Sequence, residues 1–298
     1  MSFVPIDDRD GWIWLDGEFV PWREAKVHVL THALHYGSSV FEGERMYAGE
    51  IFKLTEHSER LIKSAELLDF KIPYSVAEID QACKDTCAKN GLTDCYVRPL
   101  AWRGSEQVSV SAFNTTVRMA VAVWEWPSYF DPEAKKKGIR LTWADYARPA
   151  PNTAPVNSKA AGLYMICTIS KMRAEAAGFA DAMMLDWRGF IAEATGANVF
   201  FVKGDEIHTP KVDAILNGIT RLTVIDLAKA RGYKVNVRDI APEELAGFDE
   251  CFLTGTAVEV TPVSEIGQYR FTPGAVSLTL MDDYARLVRR QPASAAAA

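Results

Sequence analysis

Lys159 lies in the low-bulk run Asn157-Ser158-Lys159-Ala160-Ala161-Gly162-Leu163-Tyr164, and Glu193 lies in Ile191-Ala192-Glu193-Ala194-Thr195-Gly196-Ala197-Asn198. Small neighbours leave room for a planar ring attached to a lysine amine, and a carboxylate on a separate rigid strand can hold the far side of that ring. Such a lysine is a candidate nucleophile toward a carbonyl and a candidate base once its amine is released. The chain also offers places for anions. Leu216-Asn217-Gly218-Ile219-Thr220-Arg221 runs into an amphipathic stretch, so the amides of Ile219 and Thr220 fall among the unpaired donors of a helix start. Thr254-Gly255-Thr256-Ala257, after the strand-like Glu250-Cys251-Phe252-Leu253, adds a second group of small-residue amides and hydroxyls. Two anion sites suit a phosphorylated cofactor together with a carboxylate substrate.

These groups need elements to position them. Trp12-Ile13-Trp14-Leu15 and Glu18-Phe19-Val20 flank Asp16-Gly17, which predicts a β-hairpin with a two-residue type I′ turn. Leu61, Ala65 and Leu68 carry helical spacing through Thr55 to Phe70, with Thr55 as N-cap; Ser75 and Glu78 form a capping box for a helix that ends near Gly91. Tyr96 to Trp102 and Val117 to Trp126 read as strands, as do successive segments from Asp181 to Thr209, with turns at Asp186-Trp187-Arg188-Gly189 and Lys203-Gly204-Asp205-Glu206. Ile219 to Arg231 is an amphipathic helix stopped by Gly232.

At 298 residues the chain reaches the size at which one core tends to divide into two. The two prolines of Trp126-Pro127-Ser128-Tyr129-Phe130-Asp131-Pro132, followed by the polar Glu133-Ala134-Lys135-Lys136-Lys137-Gly138, mark the break. The expected division is a smaller N-terminal α/β domain over 1–127, a connection over 128–137 and a larger C-terminal α/β domain over 138–298. A net charge of −6 and a pI near 5.5 argue against non-specific nucleic-acid binding. No membrane partner is expected either, since no run reaches the roughly 18 apolar residues needed to span a bilayer, and the N-terminus lacks signal-peptide character. A cytoplasmic setting is the expectation. The five cysteines, Cys83, Cys87, Cys95, Cys167 and Cys251, are odd in number and scattered, which predicts buried or partly buried thiols rather than a disulfide framework. Cys83 and Cys87 sit one helical turn apart without a second Cys/His pair, so no metal is expected. His28, His32 and His35 are spaced as one helix face and are read as structural.

Lys159 with Tyr164, Glu193 in E-x-x-x-x-N-[VL]-F, the L-x-G-I-T-R loop and the T-G-T-A segment resemble fold-type IV pyridoxal-phosphate enzymes, the class IV aminotransferases. The run His32-Ala33-Leu34-His35-Tyr36-Gly37-Ser38-Ser39-Val40-Phe41-Glu42-Gly43, with Tyr96-Val97-Arg98-Pro99-Leu100 and Ala150-Pro151-Asn152-Thr153, resembles their branched-chain amino-acid branch. The resemblance spans roughly residues 12 to 265. It implies an α/β chain with mixed sheets in the two-domain, D-amino-acid-aminotransferase-like fold, a pyridoxal 5′-phosphate site between the domains and a homodimer.

It further implies roles. Lys159 would carry the cofactor and shuttle a proton from the substrate Cα, while Glu193 would keep the ring nitrogen protonated. At roughly 4 Å and an effective dielectric of about 20 such a charge pair gains about 4 kcal/mol before desolvation, so burial belongs to the expectation. Arg60 would bind the phosphate with Ile219, Thr220 and Thr256; Tyr164 would contact the phenolic oxygen, with Asn198 near the ring edge. Tyr96 and Arg98 would receive substrate carboxylates, and Tyr36, Phe41, Trp126, Tyr129 and Ala257 would line the substrate pocket. The expected activity moves the amino group of leucine, isoleucine or valine to 2-oxoglutarate. The alternatives within the fold are D-amino-acid or (R)-amine transamination and aminodeoxychorismate lysis, and outside it a non-enzymatic binding protein. The chain departs from the branch at Arg103-Gly104-Ser105-Glu106-Gln107-Val108-Ser109-Val110, where a glycine-richer loop is usual, and at Asn217, where proline is common.

Overall fold

The computed structural model describes residues 4–126 and 132–290. The chain divides into two compact units, Met1–Pro127 with Ser158–Leu163, and Ser128–Asn157 with Tyr164–Ala298. In the first unit the strands are β1 (Trp12–Leu15), β2 (Glu18–Pro21), β3 (Ser39–Phe41), β4 (Glu44–Tyr47), β5 (Glu50–Ile51), β6 (Cys95–Arg103) and β7 (Val117–Trp124). They form one sheet in the order β2-β1-β7-β6-β4-β5, with β3 also on β6, and its pairings are antiparallel. The helices are α1 (His32–Tyr36), α2 (Leu54–Glu66) and α3 (Val76–Lys89). Alternate strand residues Val97 and Ala101, Met119 and Val121 point to one face. There they meet Leu61 and Ala65 of α2 and Ile79, Cys83 and Cys87 of α3, each set spaced by four.

The second unit comprises α4 (Pro132–Lys137), β8 (Ile139–Trp143), α5 (Tyr164–Ala176), β9 (Asp181–Leu185), β10 (Ile191–Ala194), β11 (Asn198–Lys203), β12 (Glu206–Thr209), α6 (Ile219–Ala230), β13 (Lys234–Val237), β14 (Glu250–Gly255), β15 (Glu259–Ile266), β16 (Tyr269–Arg270) and α7 (Ala275–Val288). Its sheet runs β10-β9-β8-β15-β14-β11-β12-β13, with β16 on β15. Parallel pairs (β8–β9, β8–β15, β12–β13) sit beside antiparallel ones, so the α/β chain has the mixed sheet expected of it. Val199 and Phe201 share one core with Leu253 and Val263, while Phe200 and Phe252, one step out of phase, stack with centroids 5.0 Å apart.

Much of the local reading holds. Leu15 pairs with Glu18 around Asp16 and Gly17, whose φ of 49° and 100° are the positive pair a type I′ turn needs. Ser75 and Glu78 form both arms of their capping box. All five cysteines are free and buried.

Several expectations are corrected. Thr55 is not a cap: α2 begins at Leu54 after a left-handed Lys53, and the Thr55 hydroxyl donates to Asp80 Oδ2 at 2.6 Å. That helix stops at Glu66, short of Phe70, because Asp69 takes a left-handed backbone conformation, φ 55°. His28 lies outside α1 and its Nδ1 accepts from the Leu30 amide, so the three histidines do not share a helix face. Thr254 and Gly255 are part of β14 rather than of the loop after it. The expected connection over 128–137 is helical in its second half, as α4, and Lys135 pairs there with Glu259 of β15 at 3.3 Å. Residues 158–163, expected in the C-terminal domain, belong with the first unit. Their backbone is the reason: Ala160 bridges to Val40, and the Lys159 amide donates to Ser64 Oγ.

Candidate active site

Lys159 is fixed by its main chain. The Phe41 amide donates to its carbonyl at 3.2 Å, its own amide donates to Ser64 Oγ at 3.0 Å, and the neighbouring Ser158 hydroxyl donates to the Ser64 carbonyl at 2.8 Å. Its Nζ lies 4.9 Å from the centre of the Phe41 ring, and the Arg98 guanidinium lies 4.7 Å from the same ring. Phe41 is thus the shared neighbour of the amine and of the arginine expected to take carboxylates. Arg98 Nη2 donates to Tyr96 Oη at 2.9 Å, while its Nε is buried without a hydrogen-bond partner. Tyr96 packs in turn on Trp126, centroids 5.0 Å apart. Lys159, Phe41, Tyr96, Arg98 and Trp126 therefore form one chain of contacts. Tyr36 is set apart from it: the ring is half exposed on α1 and lies against His32, 4.6 Å away. Tyr129 lies outside the described residues.

Arg60 does not stand alone on its helix. Its Nε donates to Glu42 Oε1 at 2.7 Å and its Nη2 to Glu42 Oε2 at 2.8 Å, and His57 Nδ1 lies 2.7 Å from Glu42 Oε2. Glu42 is fully buried. The sequence reading missed both partners, although His57 at i−3 from Arg60 was a visible signal for one shared helix face.

In the second unit Glu193 is buried on β10 and is held from two sides. Arg148 Nε lies 3.3 Å from its Oε1, and Asn198 Nδ2 donates to its Oε2 at 3.1 Å. Arg148, itself buried, also donates to the Ala214 carbonyl at 3.0 Å, and its Nη1 lies 3.9 Å from Cys167 Sγ. Burial pushes the Cys167 thiol up to about 11, with Arg148 pulling it back. It is therefore a thiol rather than a thiolate at neutral pH. Arg148 too was missed, its signal being a charge set within Ala147-Arg148-Pro149-Ala150.

Asn198 links this carboxylate to the anion loop. Its Nδ2 also donates to the Leu216 carbonyl at 2.9 Å, and a Cβ added at Gly218 would fall 2.1 Å from its Oδ1. Only glycine lets the loop lie this close. Gly218 opens α6 with no side-chain cap bond, leaving the Ile219 and Thr220 amides at the first turn as expected. Arg221 lies behind the loop, bonded to Thr209 Oγ1, Asn217 Oδ1 and the Pro210 carbonyl, and so stiffens it. At the end of β14 the Thr254 hydroxyl is buried without a partner, and Thr256 and Ala257 follow, half-buried. Tyr164 is the first residue of α5. Among the described residues, no group of three His, Cys, Asp or Glu could hold a metal ion.

The family "Amino-transferase class IV" matches residues 39–266, a span that takes in Phe41, Arg60, Lys159, Glu193 and the loop at Gly218. The chain belongs to the class IV aminotransferases. A probable branched-chain-amino-acid aminotransferase of Rickettsia felis is 41% identical over 293 residues, covering 97% of this aminotransferase and 100% of the relative. The branched-chain-amino-acid aminotransferase of Pseudomonas aeruginosa is 42% identical over 267 residues, 88% of this chain and 87% of that one. Among solved structures, a T.th. branched-chain amino acid aminotransferase complexed with N-(5′-phosphopyridoxyl)-L-glutamate superposes with a TM-score of 0.90 at 41% identity, covering 95% of this chain and 96% of that one. The Escherichia coli branched-chain amino acid aminotransferase does so with a TM-score of 0.90 at 35% identity, covering 97% and 98%.

The Arg148–Glu193 pair gives the aminotransferase a testable weak point. Replacing Arg148 with leucine strands a buried carboxylate, so stability to urea should fall by about 3–5 kcal/mol. Arg148→Leu/Glu193→Leu should recover part of that loss, because the double change leaves no charge unpaired. A loss in the double variant equal to the sum of the Arg148→Leu and Glu193→Leu losses would mean that the pair is not coupled.

Proposed function

We propose that this aminotransferase uses pyridoxal 5′-phosphate to transfer the amino group of a branched-chain L-amino acid to 2-oxoglutarate. The observation that carries the reading is Phe41, whose ring is flanked by the amine of Lys159 and the guanidinium of Arg98. A transaminase needs an amine at the reacting carbon and a cation for the substrate carboxylate, and an arginine with an unpaired buried Nε suits the second task. An enzyme for simple amines has no such need.

The residues fit the cofactor. Gly218 leaves the first turn of α6 uncapped, and the orphaned Thr254 hydroxyl and Thr256 extend a donor set suited to a phosphate. Glu193, buried and oriented by Arg148 and Asn198, suits a protonated ring nitrogen. When bound, pyridoxal phosphate supplies an electrophilic carbonyl and a ring that withdraws electrons from the substrate Cα. The protein does the rest. Lys159 would hold the cofactor through Nζ, and its amine would serve as the base toward the substrate Cα proton. Glu193 would hold a proton at the ring nitrogen, Tyr164 would meet the phenolic oxygen, and Ile219, Thr220, Thr256 and Arg60 would bind the phosphate. Arg98 with Tyr96 receives carboxylates, including the distal one of glutamate. Phe41, Trp126 and Ala257, with Tyr129, would contribute the apolar wall.

A cytoplasmic homodimer belongs to the same reading. Free, buried cysteines suit a reducing compartment. Val29, Leu34, Val110 and Phe113 are exposed in the first unit, where His32 ties α1 to the Ser109 carbonyl at 2.9 Å, and such apolar exposure suits a contact with a second copy. The deciding assay supplies L-leucine, D-alanine or (R)-1-phenylethylamine, each with 2-oxoglutarate or pyruvate as acceptor. L-Leucine with 2-oxoglutarate should give glutamate fastest; no glutamate from L-leucine would sink the reading.

A further inference from the structure

We propose that Glu42, backed by His57, is a positioning residue that aims the Arg60 guanidinium at the cofactor phosphate. The proposal rests on the reading of Arg60 as a phosphate ligand and adds two residues to which that reading gives no role. Glu42 sits between β3 and β4 with its amide donated to the Pro99 carbonyl at 2.8 Å, so its main chain is pinned to β6. Its carboxylate accepts two near-parallel bonds from Arg60, at 2.7 and 2.8 Å, and a third bond, from His57, at 2.7 Å. Burial alone would raise the Glu42 carboxyl, but Arg60 and then His57 hold it well below the usual carboxylate range. A carboxylate can only accept, so the proton of the His57–Glu42 bond sits on Nδ1 of the ring. Burial lowers His57 below its ordinary value even as Glu42 draws it back up, which favours a neutral ring.

A guanidinium is a rigid planar fork, so gripping its Nε–Nη2 edge also fixes the direction of the opposite edge. Of the two side chains Glu42 is fully buried while Arg60 keeps 17% exposure, so the pair is anchored at its acidic end. An isolated arginine would lose several rotamers on meeting a phosphate, and the clamp removes that loss in advance. A purely electrostatic role for Glu42 makes the opposite forecast. It offsets the charge of Arg60, so neutralising it would tighten phosphate binding.

The test compares the affinity of the apoprotein for pyridoxal 5′-phosphate with that for pyridoxal, which lacks the phosphate, by following the absorbance of the lysine-bound form. Glu42→Gln should weaken pyridoxal 5′-phosphate binding about tenfold or more and leave pyridoxal within about twofold, because only the phosphorylated ligand reads the direction of Arg60. His57→Phe should shift the same ratio in the same direction, and His57→Asn, which keeps a donor for Glu42, should restore it. These two variants carry the test if Glu42→Gln fails to fold. Equal losses for both ligands, no change, or tighter pyridoxal 5′-phosphate binding would overturn the proposal. Arg60→Ala separates the two readings. If it leaves the ratio unchanged, the phosphate role of Arg60 fails; if it collapses the ratio and the Glu42 and His57 variants do not, only the positioning role fails.

Discussion

Lys159→Ala will abolish transamination, lowering kcat/KM by about 10⁴ or more, while the protein keeps its fold and still binds pyridoxal 5′-phosphate without covalent attachment. Loss of a positioned acid–base group alone accounts for about 10²–10⁴, and loss of the covalent route adds to it. The fold should survive because what Lys159 gives its unit is chiefly main chain: its carbonyl accepts from Phe41 and its amide donates to Ser64 Oγ, neither of which alanine disturbs. The side chain adds the contact of Nζ with the Phe41 ring. Borohydride reduction of the loaded protein followed by peptide mass mapping should place the label on Lys159 in the wild type and nowhere in the variant. A variant that still acquires the label, or turns over at more than about a hundredth of the wild-type rate, would show that another amine does this work.

Glu44→Met will make the protein more stable, and increasingly so as pH rises. Glu44 lies on β4, where all four residues are buried, and both of its carboxyl oxygens are buried without a hydrogen-bond partner. Burial pushes its carboxyl well above the ordinary value of 4.5; the like charges of Glu42 and Asp80 push the same way, and Arg60 pulls back. The sign of the pH dependence follows. Below 4.5 the carboxyl is protonated in both folded and unfolded chains and costs nothing by ionisation. Above that value the unfolded chain releases the proton and the folded chain keeps it, so folding loses about 1.4 kcal/mol per pH unit until the raised folded value is reached. Methionine cannot ionise, fills a similar volume and adapts its shape to an apolar surrounding such as the layer of Cys83, Cys87 and Ile79 in the same unit. Removing the unpaired carboxyl should also recover about 1–3 kcal/mol of desolvation. Urea melts of the two proteins, taken at rising pH from 5, should diverge along that slope until the raised folded value is reached. Parallel curves would mean that Glu44 is ionised or paired in the folded protein.

The parts of the site that could be read from sequence are those whose chemistry lies within one short run. Lys159 with its small neighbours, Glu193 with Asn198 five residues on, and Gly218 ahead of Ile219 and Thr220 each lie close together in sequence. Arg148, Glu42 and His57 are different. A buried charge is tolerable only with its partner, and that partner is chosen by tertiary pairing, as β10 meets the segment after β8 at Glu193 and Arg148. Glu44-Arg45-Met46-Tyr47 pairs two charged residues with two apolar ones as a half-exposed strand would, yet all four are covered. The Thr55 hydroxyl could serve the start of its own helix or Asp80 on α3, and local sequence names only the first. Residues 158–163 read as part of the C-terminal domain for a related reason, since this run of six between two longer stretches of the second unit returns to the first through backbone bonds that leave no mark on composition.

That return has a mechanical consequence. Held at its carbonyl by Phe41 and at its amide by Ser64, the lysine has an immobile base, and whatever travel its amine makes between carrying a cofactor and taking a proton is confined to its own side-chain torsions. The amine sweeps an arc about a fixed pivot, and because Phe41 supplies the pivot through its main-chain amide and the face beneath the arc through its ring, a change of side chain at 41 would keep the hinge and alter only the path of the swing.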